Sequence, residues 1–252
     1  MSGTEITQDL QGKGALVTGG SRGIGAAIAR HLAARGASVA ITYASSAAKA
    51  EAVVNEIEAD GGAGFAIQAD SADPAAISAA VNAAAERFGR LDILVNNAGI
   101  FPFGPPETVT LEEINRTLDI HVKGVFIASQ AALPHMGEGG RIISIGSCFA
   151  QHVPFAGVTL YSMSKSALIG FTKGLARDVG ARGITVNVVD PGPTDTDMNP
   201  ADGPNADYSR SLNALGSYGA PDDIAAMVAH LAGPGGRYVT GASLAIDGGS
   251  NA

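Results

Sequence analysis

The sequence has a single cysteine, Cys148, among its 252 residues. A lone thiol provides neither a disulfide framework nor a thiolate zinc set, and we predict no metal site. No apolar run reaches the roughly 20 residues that a membrane-spanning helix needs. The polar, acid-containing start at residues 1–11 is unlike a secretory signal. We therefore expect a cytoplasmic protein with no membrane partner.

Charged residues are also few, at 16 % of the chain, and the formal net charge is −8. An acidic chain without a cluster of Lys and Arg disfavours a nucleic-acid partner. The hydrophobic content of 46 % and the 34 glycines are typical of a well-buried globular protein. Since we find no linker-like tract and no repeat, we predict one domain over residues 1–252.

Short apolar runs alternate with helical patterns along the chain. Predicted strands lie at residues 15–17, 39–41, 65–67, 91–95, 141–145 and 184–189, and predicted helices at 28–36, 47–59, 74–88, 111–136 and 161–179. Strands that are apolar throughout belong to parallel sheets covered on both faces. The predicted fold is therefore α/β, a Rossmann-like doubly wound parallel sheet of about seven strands with helices on both faces.

A glycine-rich turn, with Gly19, Gly23 and Gly25, lies between the first predicted strand and the first helix. In this context glycines let the backbone approach a pyrophosphate, whose charge then lies at the helix N-terminus. A turn that serves only close packing is the alternative. Ligands of such sheets bind beyond the carboxyl ends of the strands, where Asp70, Ser147 and residues 96–99 and 191–192 are expected.

Tyr161 and Lys165 lie one turn apart on one face of the helix predicted at residues 161–179. A free phenol titrates near about pH 10, and a neighbouring ammonium favours the phenolate. We therefore expect Lys165 to lower the pKa of Tyr161, so that the phenol exchanges a proton with an alcohol or alkoxide. This spacing alone is also common on solvated helix surfaces.

Taken together, these motifs resemble those of the short-chain dehydrogenase/reductase family, nearly from end to end. The matching segments are residues 18–25, residues 96–99, Ser147, Tyr161 with Lys165, and residues 191–196. The resemblance implies that Tyr161 is the general acid/base, that Ser147 holds the substrate oxygen and that Lys165 also binds the nicotinamide ribose. It further implies a homotetramer, a dinucleotide-binding half at about residues 13–150 and a catalytic half at about residues 151–252.

The resemblance also implies a set of cofactor-binding residues. They are Gly19, Ser21, Arg22, Ile24, Tyr43, Ser45, Ser46, Asp70, Ser71, Asn97, Ala98, Gly99, Tyr161, Lys165, Pro191, Gly192, Thr194 and Thr196. For Asp70, which would bind the adenine, an ordinary turn acid at a strand end is the alternative.

The choice of cofactor depends on the end of the second strand. NAD-preferring relatives carry an acid there, whereas residues 41–46 contain none. Without a carboxylate nothing repels a 2′-phosphate, and Arg22, Ser45 and Ser46 offer donors for it. We therefore predict NADP(H), with NAD(H) less favoured. The alternative role for Ser45 or Ser46 is to cap the helix that starts near Ala47.

His121 departs from the family pattern, which usually has an asparagine here that holds a water of a proton relay. A neutral imidazole offers one donor and one acceptor, so we count His121 among the catalytic candidates. We expect it to charge at mildly acid pH and so to change the pH dependence of the relay. A tolerated replacement without a special role is the alternative.

Substrate choice is predicted to lie with residues 101–103, residues 149–157 and a mobile lid at about residues 195–218. Their apolar members, Phe101, Phe103, Phe149, Val153 and Phe155, could line a pocket for a ketone or aldehyde, or belong to the core. Asp190 stands where relatives carry a small residue, and the sequence offers no physical reason for it.

The predicted function is the reversible, NADP(H)-dependent reduction of a ketone or aldehyde to an alcohol, with a small carbonyl compound or alcohol as substrate. Two alternatives stay open. One is a 3-oxoacyl-(acyl-carrier-protein) reductase, which shares these motifs. The other is a nucleotide-binding regulator that has kept the fold and lost catalysis.

Overall fold

A computed structural model describes residues 7–252. The first six residues, which include part of the polar start discussed above, lie outside the described range. The centre of the fold is a sheet of seven strands in the order β3-β2-β1-β4-β5-β6-β7, and every neighbouring pair is parallel. The strands are β1 (Gly14–Val17), β2 (Ser38–Tyr43), β3 (Ala63–Gln68), β4 (Ile93–Asn96), β5 (Arg141–Ile145), β6 (Thr185–Pro191) and β7 (Ser243–Ile246). The predicted fold class is confirmed, and the structure locates β7, which the apolar pattern alone did not.

Helices cover both faces of this sheet. They are α1 (Gly23–Ala34), α2 (Ala47–Ala59), α3 (Pro74–Phe88), α4 (Leu111–Leu118), α5 (Gly124–Ala132), α6 (Thr159–Val179), α7 (Ala206–Ser211) and α8 (Pro221–Ala232). Alternate residues of β1 enter different core clusters: Ala15 and Val17 pack on the side of α1 and α8, and Leu16 on the side of α3. This arrangement explains why the strands are apolar throughout. Among residues 7–252, no helix has the length and apolar character needed to cross a membrane.

The long helical region predicted at residues 111–136 is present, but it is not a regular α-helix throughout. The structure has α4, a π-helical turn at Asp119–Lys123, α5 and a short 3-10 turn at Leu133–His135. At the start of α5, Gly124 packs so closely on the backbone carbonyl of Ser71 that a Cβ atom there would collide with it. The helical periodicity of the sequence cannot show the extra residue of a π turn, which is often found at functional sites.

Asp92 joins the starts of β1 and β4 through its buried carboxylate. One oxygen, Oδ2, accepts hydrogen bonds from the backbone N–H of Gly14 at 3.0 Å and from Arg90 Nε at 2.7 Å. The other, Oδ1, accepts from Lys13 Nζ at 3.1 Å and from Arg90 Nη2 at 2.5 Å. Burial acts to raise the pKa of Asp92, but these donors together hold it below its usual value.

We expect Asp92→Asn to lower the free energy of unfolding by about 2 kcal/mol at neutral pH. The carboxylate accepts four hydrogen bonds, and a neutral amide in its place accepts fewer of them and lacks the charge that pairs with Lys13 and Arg90. The folded-state pKa is depressed, so the carboxylate stabilises the fold above its unfolded pKa and loses this effect as the pH falls. Urea denaturation should therefore show the two proteins converging below about pH 4. Asp178→Asn, at an exposed position of α6, is the control, and an Asp92→Asn protein as stable as this control would contradict the expectation.

Candidate active site

A cavity of about 660 Å³ opens at the carboxyl ends of the strands. Its walls contain Ser147 and all eighteen residues predicted to bind the cofactor, whereas His121 lies behind them. The structure thus brings together residues from both predicted halves of the chain. Their individual roles in binding stay predictions.

The glycine-rich turn is held against the loop that follows β4. Asn97 Nδ2 donates hydrogen bonds to the carbonyls of Thr18 at 2.9 Å and Gly19 at 3.0 Å. In return, Thr18 Oγ1 accepts from the backbone N–H groups of Asn97 and Ala98. Gly19 has a φ of 64°, and a Cβ atom there would lie 2.9 Å from Ala98 Cα. The glycine is therefore required for both the turn and the close approach.

This turn leads directly into α1, whose first residue is Gly23. No side chain caps the N-terminus of α1. Its first N–H groups therefore remain for a ligand in the cavity, as at other anion-binding helix ends. Thr42 also supports the turn, because its Oγ1 accepts from the backbone N–H of Gly19 at 3.1 Å. Sequence reasoning missed Thr42, since an isolated threonine in a buried strand carries no signal.

Arg22, Ser45 and Ser46 all line the cavity, and Ser45 and Ser46 directly precede α2. Ser46 occupies the N-cap position of α2 but makes no capping hydrogen bond through its side chain. Nearby, Lys49 of α2 forms an ion pair with Asp197 of the predicted lid at 2.7 Å. The hydrogen bond and charge of Lys49, together with the charge of Arg22, hold the pKa of Asp197 below its usual value.

Asp70 combines the two roles considered for it. It lines the cavity, and it also makes the contacts of a turn acid. Its Oδ1 accepts from the backbone N–H of Ala72 at 3.0 Å and its Oδ2 from Arg116 Nη1 at 2.8 Å. Burial opposes the shift, yet Arg116 and the Ala72 N–H hold the pKa of Asp70 below its usual value.

The first turns of α6 carry Tyr161 and Lys165 to the same wall of the cavity as Ser147, which follows β5. Lys165 is buried, donates from Nζ to the carbonyl of Ile145 at 2.8 Å, and lies 5.8 Å from the centre of the Tyr161 ring. Burial lowers the pKa of Lys165 to about 8, and the charge of Asp190 acts in the opposite direction.

The expected lowering of the Tyr161 pKa is wrong for this structure. Burial raises the pKa of Tyr161 to about 12, although the neighbouring Ser147 hydroxyl acts in the opposite direction. Desolvation penalises a phenolate, and the Lys165 ammonium is directed to the Ile145 carbonyl. The phenol is consequently protonated at neutral pH.

His121 lies in the π-helical turn between α4 and α5, and both of its ring nitrogens already have protein partners. Nε2 accepts from the backbone N–H of Ile100 at 3.0 Å. Nδ1 therefore carries the proton and lies 2.8 Å from Ser164 Oγ, which in turn donates to the carbonyl of Tyr161. The ring has no nitrogen left for the water of the expected relay.

The expectation that His121 charges at mildly acid pH is also wrong. Burial, with the nearby charge of Lys165, lowers the pKa of His121 to about 2. The imidazole is therefore neutral throughout the range in which proteins normally work. It links the loop after β4 to α6 as a fixed structural group.

Aromatic side chains form the outer part of the cavity. Phe101 lies edge-on to Tyr161 with ring centres 4.8 Å apart, and Phe149 packs edge-on against Phe155 at 5.2 Å. Phe103 completes this wall, but Val153 is 48 % exposed and lies outside it. The predicted lid contributes its own lining residues, namely Thr196, Asp197, Met198, Asn199, Asn205 and Ser209. It also contains α7, which the sequence pattern did not indicate.

We expect His121→Leu to lower the free energy of unfolding by roughly 1–3 kcal/mol, because the Ile100 N–H and the Ser164 hydroxyl lose their shared partner. The imidazole stays neutral in the folded protein but takes up a proton in the unfolded chain below about pH 6.5, so the wild type loses stability there and the difference from His121→Leu should shrink as the pH falls through that value. Denaturant titrations at two pH values measure it, with His121→Asn expected to recover part of the loss. A stability difference that stays constant or grows as the pH is lowered through that value would contradict a neutral imidazole.

The comparisons with known proteins agree on the family. The family model described as enoyl-(acyl carrier protein) reductase matches residues 19–251.

The chain is 48 % identical to the cyclic-di-GMP-binding biofilm dispersal mediator protein of Escherichia coli, over 94 % of this chain and 96 % of that protein. It is 63 % identical to a short chain dehydrogenase from Burkholderia cenocepacia solved in complex with NADP, with a TM-score of 0.96, over 97 % of this chain and 100 % of that one. A blue fluorescent protein from a metagenomic library, solved in complex with NADPH, is 60 % identical with a TM-score of 0.95 and the same coverage. With its sheet order, glycine-rich turn and cleft, the chain belongs to the short-chain dehydrogenase/reductase family.

Proposed function

We propose that the protein is an NADP(H)-dependent oxidoreductase that reversibly reduces a ketone or aldehyde to an alcohol. The observation that carries the proposal is the meeting of Ser147, Tyr161 and Lys165 in one cavity with the glycine-rich turn. Cytoplasmic location and a homotetramer remain predictions from the sequence.

The cavity fits a nicotinamide dinucleotide. The close packing of Gly19 on Ala98 leaves backbone, not side chain, along the turn, and the uncapped N-terminus of α1 suits a pyrophosphate. Pro191, Gly192, Thr194 and Thr196 would hold the nicotinamide end, next to the wall formed by Tyr161. When bound, the cofactor supplies the hydride in reduction and accepts it in oxidation.

Three side chains would then handle the proton and the substrate oxygen. The Ser147 hydroxyl would donate a hydrogen bond to the carbonyl oxygen, and Tyr161 Oη would give its proton to the same oxygen as the alcohol forms. The carbonyl carbon gains a hydride and the oxygen gains this proton, which together make the alcohol. A phenol with a pKa of about 12 is protonated at neutral pH, which is the form that can donate this proton.

The preference for NADP(H) is supported by the guanidinium of Arg22 and by the complexes of two similar proteins. Arg22 lines the cavity together with Ser45 and Ser46, and residues 41–46 contain no acid that would repel a 2′-phosphate. The Burkholderia and metagenomic proteins were solved with NADP and NADPH respectively.

The aromatic wall supports a substrate with an apolar or planar group beside its carbonyl. Phe101, Phe103, Phe149 and Phe155 line the cavity around Tyr161, and such rings stack well on flat substrates. The acyl-carrier-protein reductase and the nucleotide-binding regulator remain the alternatives. The similarity to the Escherichia coli dispersal mediator makes the regulator worth testing directly.

We expect Tyr161→Phe to lower kcat by roughly 10²–10⁴-fold, because the variant loses the proton donor. NADPH binding, measured by fluorescence titration, should change little. The assay follows NADPH oxidation over a panel of ketones, aldehydes and a 3-oxoacyl thioester. Full activity in the variant would overturn the role of Tyr161. Activity on the thioester alone would identify the acyl reductase, and a silent wild type that binds NADPH tightly would favour the regulator.

We expect Arg22→Ala to weaken NADPH binding about 10-fold while leaving NADH binding nearly unchanged, since the guanidinium would contact only the 2′-phosphate. Isothermal titration calorimetry with both cofactors measures the difference. Arg30→Ala is the matched control, because Arg30 lies on α1, the helix that begins immediately after Arg22, and pairs with Glu56 outside the cavity. An equal loss for both cofactors would contradict the assignment of Arg22 to the phosphate.

A further inference from the structure

Asp190 is a fully buried acid at the end of β6, immediately before Pro191. Its Oδ1 accepts a hydrogen bond from the backbone N–H of Ser147 at 3.1 Å. Its Oδ2 accepts from Ser243 Oγ of β7 at 2.5 Å, and Gln151 Nε2 donates to the same Ser243 oxygen at 2.9 Å. The carboxylate thus ties the segment that carries Ser147 to the neighbouring strand.

Titratable groups surround this carboxylate. Lys165 and Tyr161 belong to α6 and Cys148 follows β5, and the charge of Asp190 acts on all three. Asp247, which follows β7, acts on Cys148. Burial raises the pKa of Asp190, while Ser243, the Ser147 N–H and the charge of Lys165 act to lower it. In turn, the negative charge of Asp190 acts to raise the pKa values of Lys165, Tyr161 and Cys148.

The space for this carboxylate is provided by Gly146. A Cβ atom on Gly146 would collide with Asp190 Oδ1 and lie 2.8 Å from Val188 Cγ2. The glycine before Ser147 and the acid before Pro191 are therefore parts of one arrangement. This arrangement is the physical reason for Asp190 that the sequence alone did not offer.

A neutral amide could fill the same space and accept the same N–H with a far smaller loss of solvation than a carboxylate. The charge is therefore the feature that needs an explanation. Lys165 supplies one. Its buried ammonium donates to the carbonyl of Ile145, two residues before the Ser147 N–H that Asp190 accepts, and an anion held on the same short segment opposes deprotonation of the ammonium.

We propose that Asp190 is a positioning residue of this site: it fixes the backbone of Ser147, and its negative charge keeps Lys165 in the ammonium form. The catalytic consequence of this role rests on the proposed function. The effect on Lys165 does not, and it can be measured without turnover.

The test is Asp190→Asn, which keeps the shape and the acceptor for the Ser147 N–H but removes the charge. We expect Lys165 to titrate about 1 pH unit lower in the variant. Carbon-13 NMR of labelled lysine in the substrate-free protein measures this titration, and Lys165→Met identifies the resonance by its absence. Asp178→Asn, the exposed acid on the same helix as Lys165, is the matched control and should leave the titration unchanged.

The kinetic readout is the pH dependence of kcat. Losing the anion lowers the pKa of both Lys165 and Tyr161, so the alkaline limb of the profile should move to lower pH by about 1 unit. The kcat of Asp190→Asn should equal that of the wild type at acid pH and be about 10-fold lower at pH values above the alkaline limb. The Tm of the variant should be unchanged or higher. A uniform loss at every pH together with a lower Tm would indicate a merely structural role and overturn the inference.

Ser243→Ala keeps the test decisive if Asp190→Asn does not fold. It removes one donor from the carboxylate, so it favours protonation of Asp190 and should lower the Lys165 titration in the same direction but by less. An unchanged Lys165 titration in the variants that fold would contradict the inference. A shifted titration in a protein inactive on the whole carbonyl panel would leave the charge effect standing and count against the proposed reductase instead.

Discussion

The cavity depends on the hydrogen bonds that join the turn after β1 to the loop after β4. The Asn97 side chain donates hydrogen bonds to the carbonyls of Thr18 and Gly19, and the Thr18 hydroxyl accepts hydrogen bonds from the backbone N–H groups of Asn97 and Ala98. These bonds hold the glycine-rich turn in place between β1 and β4, where the order in which the chain adds strands to the sheet reverses. Doubly wound sheets bind ligands at such a point. Gly25 packs directly on the Asn97 amide. The start of α1 and the floor of the cavity are consequently fixed by one set of contacts.

Much of the fold followed from local patterns, because a strand buried on both faces is apolar at every residue and a helix on the sheet repeats with its own period. The patterns failed where tertiary contacts decide the local structure. At the π turn between α4 and α5, Gly124 packs on the Ser71 backbone, which is a contact between distant parts of the chain that no local pattern shows. Likewise β7 is half exposed and short, and its place is set by its pairing with β6.

The positions of the site residues were predictable, but their protonation states were not. Residues that follow parallel strands must meet at one edge of the sheet, so Ser147 and the residues after β1, β4 and β6 could be placed together from the sequence. A pKa depends instead on burial and on partners that the spacing does not reveal. The helical spacing of Tyr161 and Lys165 suggested an acidic phenol, whereas burial of the phenol outweighs the ammonium, whose own hydrogen bond goes to Ile145.

The charges of the site explain why histidine is compatible with position 121. Lys165 is a buried cation with one acid, Asp190, acting on it, and a second cation nearby would raise the electrostatic energy of the site. The imidazole avoids this, because its Nε2 lone pair is committed to the N–H of Ile100 and protonation would require that bond to break. Its Nδ1 proton is committed to Ser164, on the same helix as Lys165. A side chain that titrates freely in solution is thereby held neutral, and the balance between Asp190 and Lys165 becomes independent of it.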